Sequence, residues 1–235
     1  MISSWSHSRI NDFEKCKFLA WLKHDQKIPE PERPLPEGKT EHANDRGSRI
    51  HDHAENFVNG TVAQQITEMR KFSVEFDHLR HLHTLGMVSL EGEWGMDEDW
   101  NPTDWRTAWH RSKIDALVQP SKTEAIVIDY KSGKRFGNEV KHAEQTQLYA
   151  LNAVLRIPTL ESVTTELWYL DVDDLISVTF SHEQILRFKA AWDRRGHKLT
   201  SCVDFPPNPS VYTCKWCQYG PWNGGQCQVG VRHGK

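Results

Sequence analysis

The segment that most constrains the fold is residues 126–131, with the sequence IVIDYK. Its β-branched and apolar residues lie between two stretches rich in turn-forming residues, QPSKTE and SGKRFGNE, a pattern typical of a buried strand. Successive side chains of a strand point to opposite faces, so Asp129 and Lys131 share one face. The segment therefore predicts a strand that brings one carboxylate and one amine to the same site.

A second predicted strand contains the sequence KID at residues 113–115. If the two strands form a hairpin, Asp115 joins Asp129 and Lys131. Two carboxylates that hold a divalent metal ion, together with a lysine, are the minimum set for hydrolysing a phosphodiester. Alone the pattern is weak evidence, because aspartate and lysine at a strand end are also common surface residues.

Length and composition limit the class of protein. With 235 residues the chain can bury a sizeable core, and we expect one domain. The formal net charge of -3 means that nucleic-acid binding would need local basic patches. No segment approaches the roughly 18–20 apolar residues of a membrane span, and the N-terminus lacks the apolar core of a signal peptide. These features favour an intracellular, cytoplasmic protein with reduced cysteines.

Hydrophobic periodicity predicts alternating helices and strands. We expect helices at residues 6–24, 42–59, 62–85 and 140–155 and from Ser181 onward, and strands at residues 87–94, 107–118, 125–131, 162–171 and 175–180. The proline-rich residues 27–39 form a connector, and the tail from Ser201 is irregular. This order of elements implies a mixed α/β core.

Two of the predicted helices carry polar residues spaced by one turn. GSRIH places Gly47 and His51 on one helical face, and QTQLY places Gln145 and Tyr149 on another. His51 could be a third metal ligand, while the amide and the phenol could support the site or a DNA backbone. A lone histidine is more often structural than a ligand, but four spaced motifs in this order are hard to obtain by chance.

Together the four motifs resemble the RecB-like branch of the PD-(D/E)XK nuclease superfamily, over residues 47–149. The resemblance implies an α/β restriction-endonuclease-like core, in which helices flank a central mixed β-sheet, and cleavage of DNA with Mg²⁺ or Mn²⁺. It implies a catalytic core at residues 46–200 of a single nuclease domain spanning residues 1–235. It also implies that His51, Asp115 and Asp129 bind metal, that Lys131 acts on the attacking water, and that Gln145 and Tyr149 support the site.

Residues beside these motifs leave the ligand set open. Ser112 stands where the family often has glycine, which replaces one small residue by another. Glu91 and Glu93, on the preceding strand, could add an acidic ligand or face solvent, and we favour solvent.

The cysteines suggest a second metal site. Cys214, Cys217 and Cys227 form a C-x2-C-x9-C pattern in a glycine-rich tail, and Cys16 on the first helix could supply a fourth thiolate. One N-terminal and three C-terminal cysteines resemble the iron–sulfur subgroup of the same nucleases, which includes the CRISPR-associated RecB-like exonucleases and the AddB nuclease domain. The resemblance implies a 4Fe–4S cluster that joins residues 1–26 and 201–235 in a structural clasp.

Other interpretations of the cysteines remain open. The nine-residue gap before Cys227 is longer than expected for that subgroup. The same four thiolates could hold zinc, or they could be small buried residues without metal. Cys202 has no partner at short spacing and is predicted to be an ordinary thiol.

Aromatic and basic residues suggest how DNA could be held. Trp94, Trp100, Trp105 and Trp109 could stack on exposed bases, although packing in the core is the more common role of tryptophan. The candidates for phosphate contact are Arg46, Arg49, Lys134, Arg135 and Lys141, although each could be a solvated surface charge.

We therefore expect a Mg²⁺- or Mn²⁺-dependent deoxyribonuclease, an exonuclease acting on DNA ends or single strands. Its setting would be DNA processing, recombination or repair, with phage-encoded recombination and CRISPR adaptation among the settings and their proteins among the candidate partners. A structure-specific endonuclease is one alternative. A non-catalytic DNA-binding or assembly module with a degenerate site is another.

Overall fold

The computed structural model describes residues 1–133 and 135–232. Two compact units are present, one made of residues 39–192 and the other of residues 1–38 together with the chain from residue 193 onward. In chain order the α-helices are α1 (His7–Lys15), α2 (Lys17–Ala20), α3 (Ala43–Val58), α4 (Ser73–Thr84), α5 (Glu139–Arg156), α6 (His182–Thr200) and α7 (Val211–Cys214). Short 3-10 helices lie at Thr67–Phe72 and Pro221–Asn223, and a π-helix lies at Trp21–Asp25.

Residues 39–192 are built on a six-stranded mixed sheet with the strand order β2-β1-β3-β4-β5-β6. The strands are β1 (Val88–Met96), β2 (Pro102–Thr103), β3 (His110–Val118), β4 (Glu124–Lys131), β5 (Ser162–Tyr169) and β6 (Asp174–Ser181). β4 and β5 are parallel, and the other neighbours are antiparallel. The mixed α/β fold with a central sheet flanked by helices is therefore confirmed.

The strand predicted from IVIDYK, β4, lies inside the sheet between β3 and β5. Parallel neighbours cannot be joined by a tight turn, so the chain crosses from β4 to β5 through α5. The crossover packs α5 against β3, β4 and β5. This packing brings polar residues of α5 to the carboxyl end of β4.

The core beside α3 and α4 fixes the position of the GSRIH motif. Apolar residues of these helices pack with buried residues of β3 and β4, namely Ile50, Ala54, Phe57, Phe76, Leu79, Ala116, Val118, Ile128 and Tyr130. Ile50 is fully buried and directly precedes His51. The packing that anchors α3 therefore also sets the direction of the His51 side chain.

Two local predictions differ from the structure, and one strand was not predicted. The first helix was expected to run to about His24, but the chain is extended at Cys16 (φ -161°, ψ 115°), which separates α1 from α2. The helix predicted at 62–85 begins only at Thr67, as a 3-10 helix that leads into α4. β2 was not predicted, since two residues show no periodicity.

In the described part of the chain, no helix combines the length and the apolar character needed to cross a bilayer.

Candidate active site

Four residues from β4 and α5 form a closed ring of polar contacts. Lys131 Nζ lies 2.5 Å from Asp129 Oδ2 and donates a 2.8 Å hydrogen bond to Gln145 Oε1. Gln145 Nε2 donates to the Tyr149 hydroxyl at 2.6 Å, and that hydroxyl interacts with the Asp129 carboxylate. An ammonium can only donate, so Gln145 must turn its oxygen to Lys131 and its NH₂ group to Tyr149. The two-residue spacing of Asp129 and Lys131 on a strand and the four-residue spacing of Gln145 and Tyr149 on a helix thus allow the ring to close.

The ring is largely withdrawn from water. Asp129 is 3% exposed and Tyr149 is 6% exposed. Burial raises the pKa of Tyr149 well above its ordinary value, and the negative charges of Asp129 and Asp115 raise it further. Tyr149 is therefore a neutral hydrogen-bond donor at physiological pH and not a base.

A second group joins residues of α3, β1 and β3. His51, Glu91 and Asp115 each offer a ligand atom, and these atoms lie within 4.8 Å of one another. His51 Nδ1 lies 3.0 Å from Asp115 Oδ1 and donates to it, because a carboxylate only accepts. The backbone N–H of Tyr130 donates to Asp115 Oδ2 at 2.7 Å, so both oxygens of this buried carboxylate are held.

The expectation that Glu91 faces solvent is wrong, because its side chain is 12% exposed and belongs to this group. It lies between the paired residues Leu90–Ala116 and Gly92–Ile114, which places it opposite Asp115. Its carboxylate also contacts Lys113 Nζ at 2.5 Å. Glu93 is exposed, as expected.

The electrostatics of the two groups are linked. Burial raises the pKa of Asp115; the hydrogen bond with His51 lowers it and the Asp129 charge raises it, with a raised value as the result. Burial lowers the pKa of His51, but the hydrogen bond and charge of Asp115 and the charge of Asp129 outweigh burial and raise it. The site thus keeps two buried carboxylates close enough to repel each other.

These residues fit a divalent cation. Carboxylates and imidazole are ligands for Mg²⁺ and Mn²⁺, and a bound cation would offset the repulsion between the two carboxylates. Asp129 Oδ2 is buried, and within the described residues it receives no directed hydrogen bond despite the nearby Lys131 ammonium. An oxygen of this kind is available to a metal ion.

The four ring residues and, from the second group, His51 and Asp115 face one open cleft of about 610 Å³. Its lining includes Gly47, His51, Asp115, Asp129, Lys131, His142, Gln145 and Tyr149. A Cβ atom added to Gly47 would lie 3.3 Å from Ser132 Oγ, so α3 approaches the end of β4 closely at this glycine. The four motifs predicted to converge therefore do converge.

The arginines predicted to contact phosphate are already engaged by acids. Arg46 forms a bidentate pair with Asp171, Arg49 pairs with Glu41 and Glu68, and Arg135 pairs with Asp174. Lys141 is exposed on α5. Lys134 lies outside the described residues.

The tryptophans are packing residues for the most part. Trp94, Trp100 and Trp109 are at most 8% exposed, so the expectation of core packing is confirmed for them. Trp105 is half-buried with the Arg111 guanidinium 5.6 Å from its ring. Stacking of these rings on bases finds no support in their positions.

The four cysteines of the predicted clasp line one small cavity of about 20 Å³, in the unit that contains both chain ends. Backbone N–H groups point at three of the sulfur atoms. Asn208 donates to Cys16 Sγ at 3.4 Å, Tyr219 donates to Cys217, and Val229 and Gly230 donate to Cys227. Burial raises the pKa of Cys217 and of Cys227, and these donors lower it.

Cys202 does not line this cavity. Its thiol donates to the backbone oxygen of Asp204 at 3.0 Å. This position agrees with the prediction of an ordinary thiol.

Comparisons with solved structures show distant likenesses. The protein SSO0001 matches with a TM-score of 0.47 and 12% identity over 93% of this chain and 84% of its own. A protein named "putative exonuclease" from Eubacterium rectale matches with a TM-score of 0.49 and 10% identity, over 88% of this chain and 84% of its own. An alkaline exonuclease from Laribacter hongkongensis matches with a TM-score of 0.29 and 12% identity, over 85% of this chain and 93% of its own. Likenesses this distant do not assign an activity.

Among curated proteins, none matches the chain in sequence. The sequence model of the PD-(D/E)XK nuclease superfamily, in contrast, matches residues 4–222. This span contains both polar groups of the candidate site and most of the cysteine-rich tail. The chain therefore belongs to the PD-(D/E)XK nuclease superfamily.

Proposed function

We propose that the protein is a Mg²⁺- or Mn²⁺-dependent deoxyribonuclease of the RecB-like branch, acting as an exonuclease. The observation that carries the proposal is the convergence of the Asp129–Lys131–Gln145–Tyr149 ring with His51 and Asp115 on one cleft. Glu91 joins this site through its proximity to His51 and Asp115. Superfamily membership supplies the reaction class, and the carboxylates supply the ligands.

His51, Asp115 and Asp129 would hold the metal ion, with Glu91 as a further acidic ligand. A divalent ion at such a site acidifies a bound water and neutralises charge on the phosphate. Lys131, held between Asp129 and Gln145, keeps its ammonium at the cleft surface, where it can orient the attacking water. Gln145 and Tyr149 do not react; they hold Asp129 and Lys131 in position.

We place the activity on DNA ends or single strands in DNA processing, recombination or repair, and we treat residues 1–235 as one nuclease domain. A CRISPR-adaptation or phage recombination setting, with protein partners from it, fits the same chemistry. We also propose a cytoplasmic location, because a site of four thiolates forms from reduced cysteines. A structure-specific endonuclease or a non-catalytic DNA-binding module would be distinguished by the substrate tests below.

We further propose that Cys16, Cys214, Cys217 and Cys227 hold a 4Fe–4S cluster that stabilises the fold. Backbone N–H groups directed at sulfur atoms are a common way in which proteins tune such clusters. Four thiolates on one zinc ion lie about 3.8 Å apart, whereas no three of these sulfur atoms, all in the described residues, lie within 4.8 Å of one another. This wide spacing favours the larger cluster. The small volume of the cysteine cavity favours zinc, so a measurement of metal content decides between cluster and zinc.

The decisive experiment offers 5′- and 3′-labelled linear DNA and circular DNA to the protein with Mg²⁺, with Mn²⁺ and without metal. We expect metal-dependent release of short products from linear DNA, with Asp129→Ala and Lys131→Ala at least about 100-fold slower. Glu124→Ala, at the exposed start of the same strand, is the matched control and should keep the parent rate.

Equal rates for Asp129→Ala and the parent would refute the assignment of the site. Cleavage of circular DNA would replace the exonuclease by an endonuclease. DNA binding without turnover on any substrate would leave only the non-catalytic module. Protein purified without oxygen should be brown and contain iron; a colourless preparation with stoichiometric zinc would refute the cluster.

A further inference from the structure

A concave site is formed within the unit made of residues 1–38 and the chain from residue 193 onward. It has a volume of about 350 Å³ and is lined by Arg33, Lys215, Trp216, Trp222, Asn223 and Arg232. We call it the basic-aromatic pocket. It combines three cations with two indole rings and has no carboxylate among its lining residues.

Trp216 is an exposed aromatic residue whose position is set by the cysteine loop. It is 73% exposed, although tryptophan usually buries most of its surface. It lies between Cys214 and Cys217, and the Cys217 backbone N–H donates to the Cys214 oxygen at 3.0 Å. The tight turn directs both sulfur atoms towards the cysteine cavity and leaves the indole ring between them in solvent.

Trp222 forms a firmer surface in the same pocket. A Cβ atom added to Gly220 would lie 2.5 Å from its ring, and one added to Gly230 would lie 3.2 Å from it. The ring therefore packs closely on the backbone of two glycines. The adjacent Asn223 side chain donates to the Cys217 oxygen at 3.1 Å, which ties this segment to the cysteine loop.

The cations of the pocket differ from Arg46, Arg49 and Arg135, which are paired with acidic residues. Among the described residues, neither Lys215 nor Arg232 has a carboxylate within ion-pair distance, and both are exposed. Arg33 makes a long 3.9 Å contact with Glu30 at an exposed position. Lys215 Nζ lies 5.1 Å from the centre of the Trp216 ring, so charge and aromatic surface are adjacent. These positive charges remain available to an anion.

We propose that the basic-aromatic pocket binds single-stranded DNA, with a base stacked on Trp216 and neighbouring phosphates held by Arg33, Lys215 and Arg232. Unpaired bases offer their faces to aromatic side chains, whereas duplex bases are already stacked on one another. The choice of DNA as the ligand rests on the proposed function. The pocket would bind single-stranded DNA in preference to duplex DNA.

The test measures binding of a fluorescently labelled 12-nucleotide thymidine strand by anisotropy, without divalent metal. The full-length Asp129→Asn protein is the parent, so that DNA is not degraded. We expect Trp216→Ala to weaken binding about tenfold and Trp216→Phe to retain most of the affinity. The Lys215→Ala/Arg232→Ala variant should lower the slope of log affinity against log salt by about 1.4, which is about 0.7 for each lost phosphate contact.

Tyr212→Ala is the matched control, since Tyr212 is an 85% exposed aromatic residue on α7 that does not line the pocket. Its affinity should match the parent. Parent affinity in Trp216→Ala, equal weakening in Trp216→Phe, or an unchanged salt slope in the double variant would overturn the proposal. The proposal would also be overturned if Trp216→Ala weakened the binding of duplex DNA as much as that of the single strand. The same holds if thymidine monophosphate competed with an affinity equal to that of the 12-nucleotide strand.

The two proposals fail separately. Absence of metal-dependent degradation by the wild-type protein would refute the nuclease and leave the anisotropy result intact. A binding series that shows no effect would refute the pocket and leave the nuclease intact. Lys215 and Arg232 are exposed, so their variant tests the pocket even if a change at Trp216 disturbs the cysteine loop.

Discussion

Tyr149→Phe removes one oxygen atom from the ring of polar contacts that holds the proposed catalytic pair, Asp129 and Lys131. The lost hydroxyl accepts a 2.6 Å hydrogen bond from Gln145 and interacts with the Asp129 carboxylate. Tyr149 is 6% exposed, so water does not replace the oxygen freely. A buried donor left unpaired costs about 1–3 kcal/mol of folding free energy. Phenylalanine keeps the aromatic ring of Tyr149, so no large cavity adds to this cost.

The same change should slow DNA cleavage, because Asp129 and Lys131 lose the partner that orients them through Gln145. Supporting partners of a metal site are typically worth 10–100-fold, so we expect a loss of about that size in kcat. Urea unfolding and initial cleavage rates measure the two effects. Tyr212→Phe, at an 85% exposed tyrosine, is the control. Unchanged stability and unchanged kcat in Tyr149→Phe would show that the ring does not position the catalytic pair.

Three further predictions follow from other contacts. Burial and the Lys131 charge lower the pKa of His142 to about 4, below the ordinary 6.5. The unfolded chain therefore takes up a proton at a higher pH than the folded protein, so the free energy of unfolding should fall as pH falls from about 6.5 towards 4. His142→Gln should remove this part of the pH dependence, as measured by urea unfolding. Gly225→Ala places a Cβ atom 2.3 Å from the Tyr219 backbone, so it should destabilise the protein by about 1–3 kcal/mol and lower its bound iron or zinc. Arg46→Ala should change the salt slope of DNA binding by much less than the roughly 0.7 of a free phosphate contact, because Asp171 already holds the guanidinium.

For each of these three predictions, one result would contradict the reasoning. An identical pH dependence in His142→Gln and the parent would mean that this histidine titrates normally. Gly133→Ala, where an added Cβ meets nothing within 4 Å, is the control for Gly225→Ala, and equal stability of the two variants would contradict the clash. A full loss of one phosphate contact in Arg46→Ala would mean that DNA displaces Asp171.

Periodic stretches predicted the elements of the sheet unit closely. The strand predicted at 125–131 is Glu124–Lys131, and the helix predicted at 140–155 is Glu139–Arg156. In both, a repeated burial pattern over several residues outweighs any single propensity. The break at Cys16 has no such signal, because one extended residue between two helical stretches leaves the apolar periodicity almost unchanged.

In the candidate site, too, local sequence patterns predicted some contacts and missed others. Asp129 with Lys131, and Gln145 with Tyr149, are close in sequence, so strand and helix geometry predict which faces they share. Pairing of Arg46 with Asp171 joins residues 125 positions apart, and no local pattern predicts it. The charge of the three arginines and their place beside the motifs suggested DNA contact, but neither feature indicates that an acidic residue far along the chain already pairs with each of them.

Glu91 shows how the backbone can mark a candidate metal ligand that the sequence does not reveal. It has φ 45° within a strand, in the left-handed region that non-glycine residues avoid. Such a conformation costs about 1–3 kcal/mol and persists only where the surroundings enforce it. Here β1 and β3 pair on both sides of Glu91, through Leu90 and Gly92, and hold the strained residue opposite Asp115. A strained carboxylate held within 4.8 Å of His51 and Asp115 is what an acidic ligand requires, and alternation along a strand could not have distinguished it from the exposed Glu93.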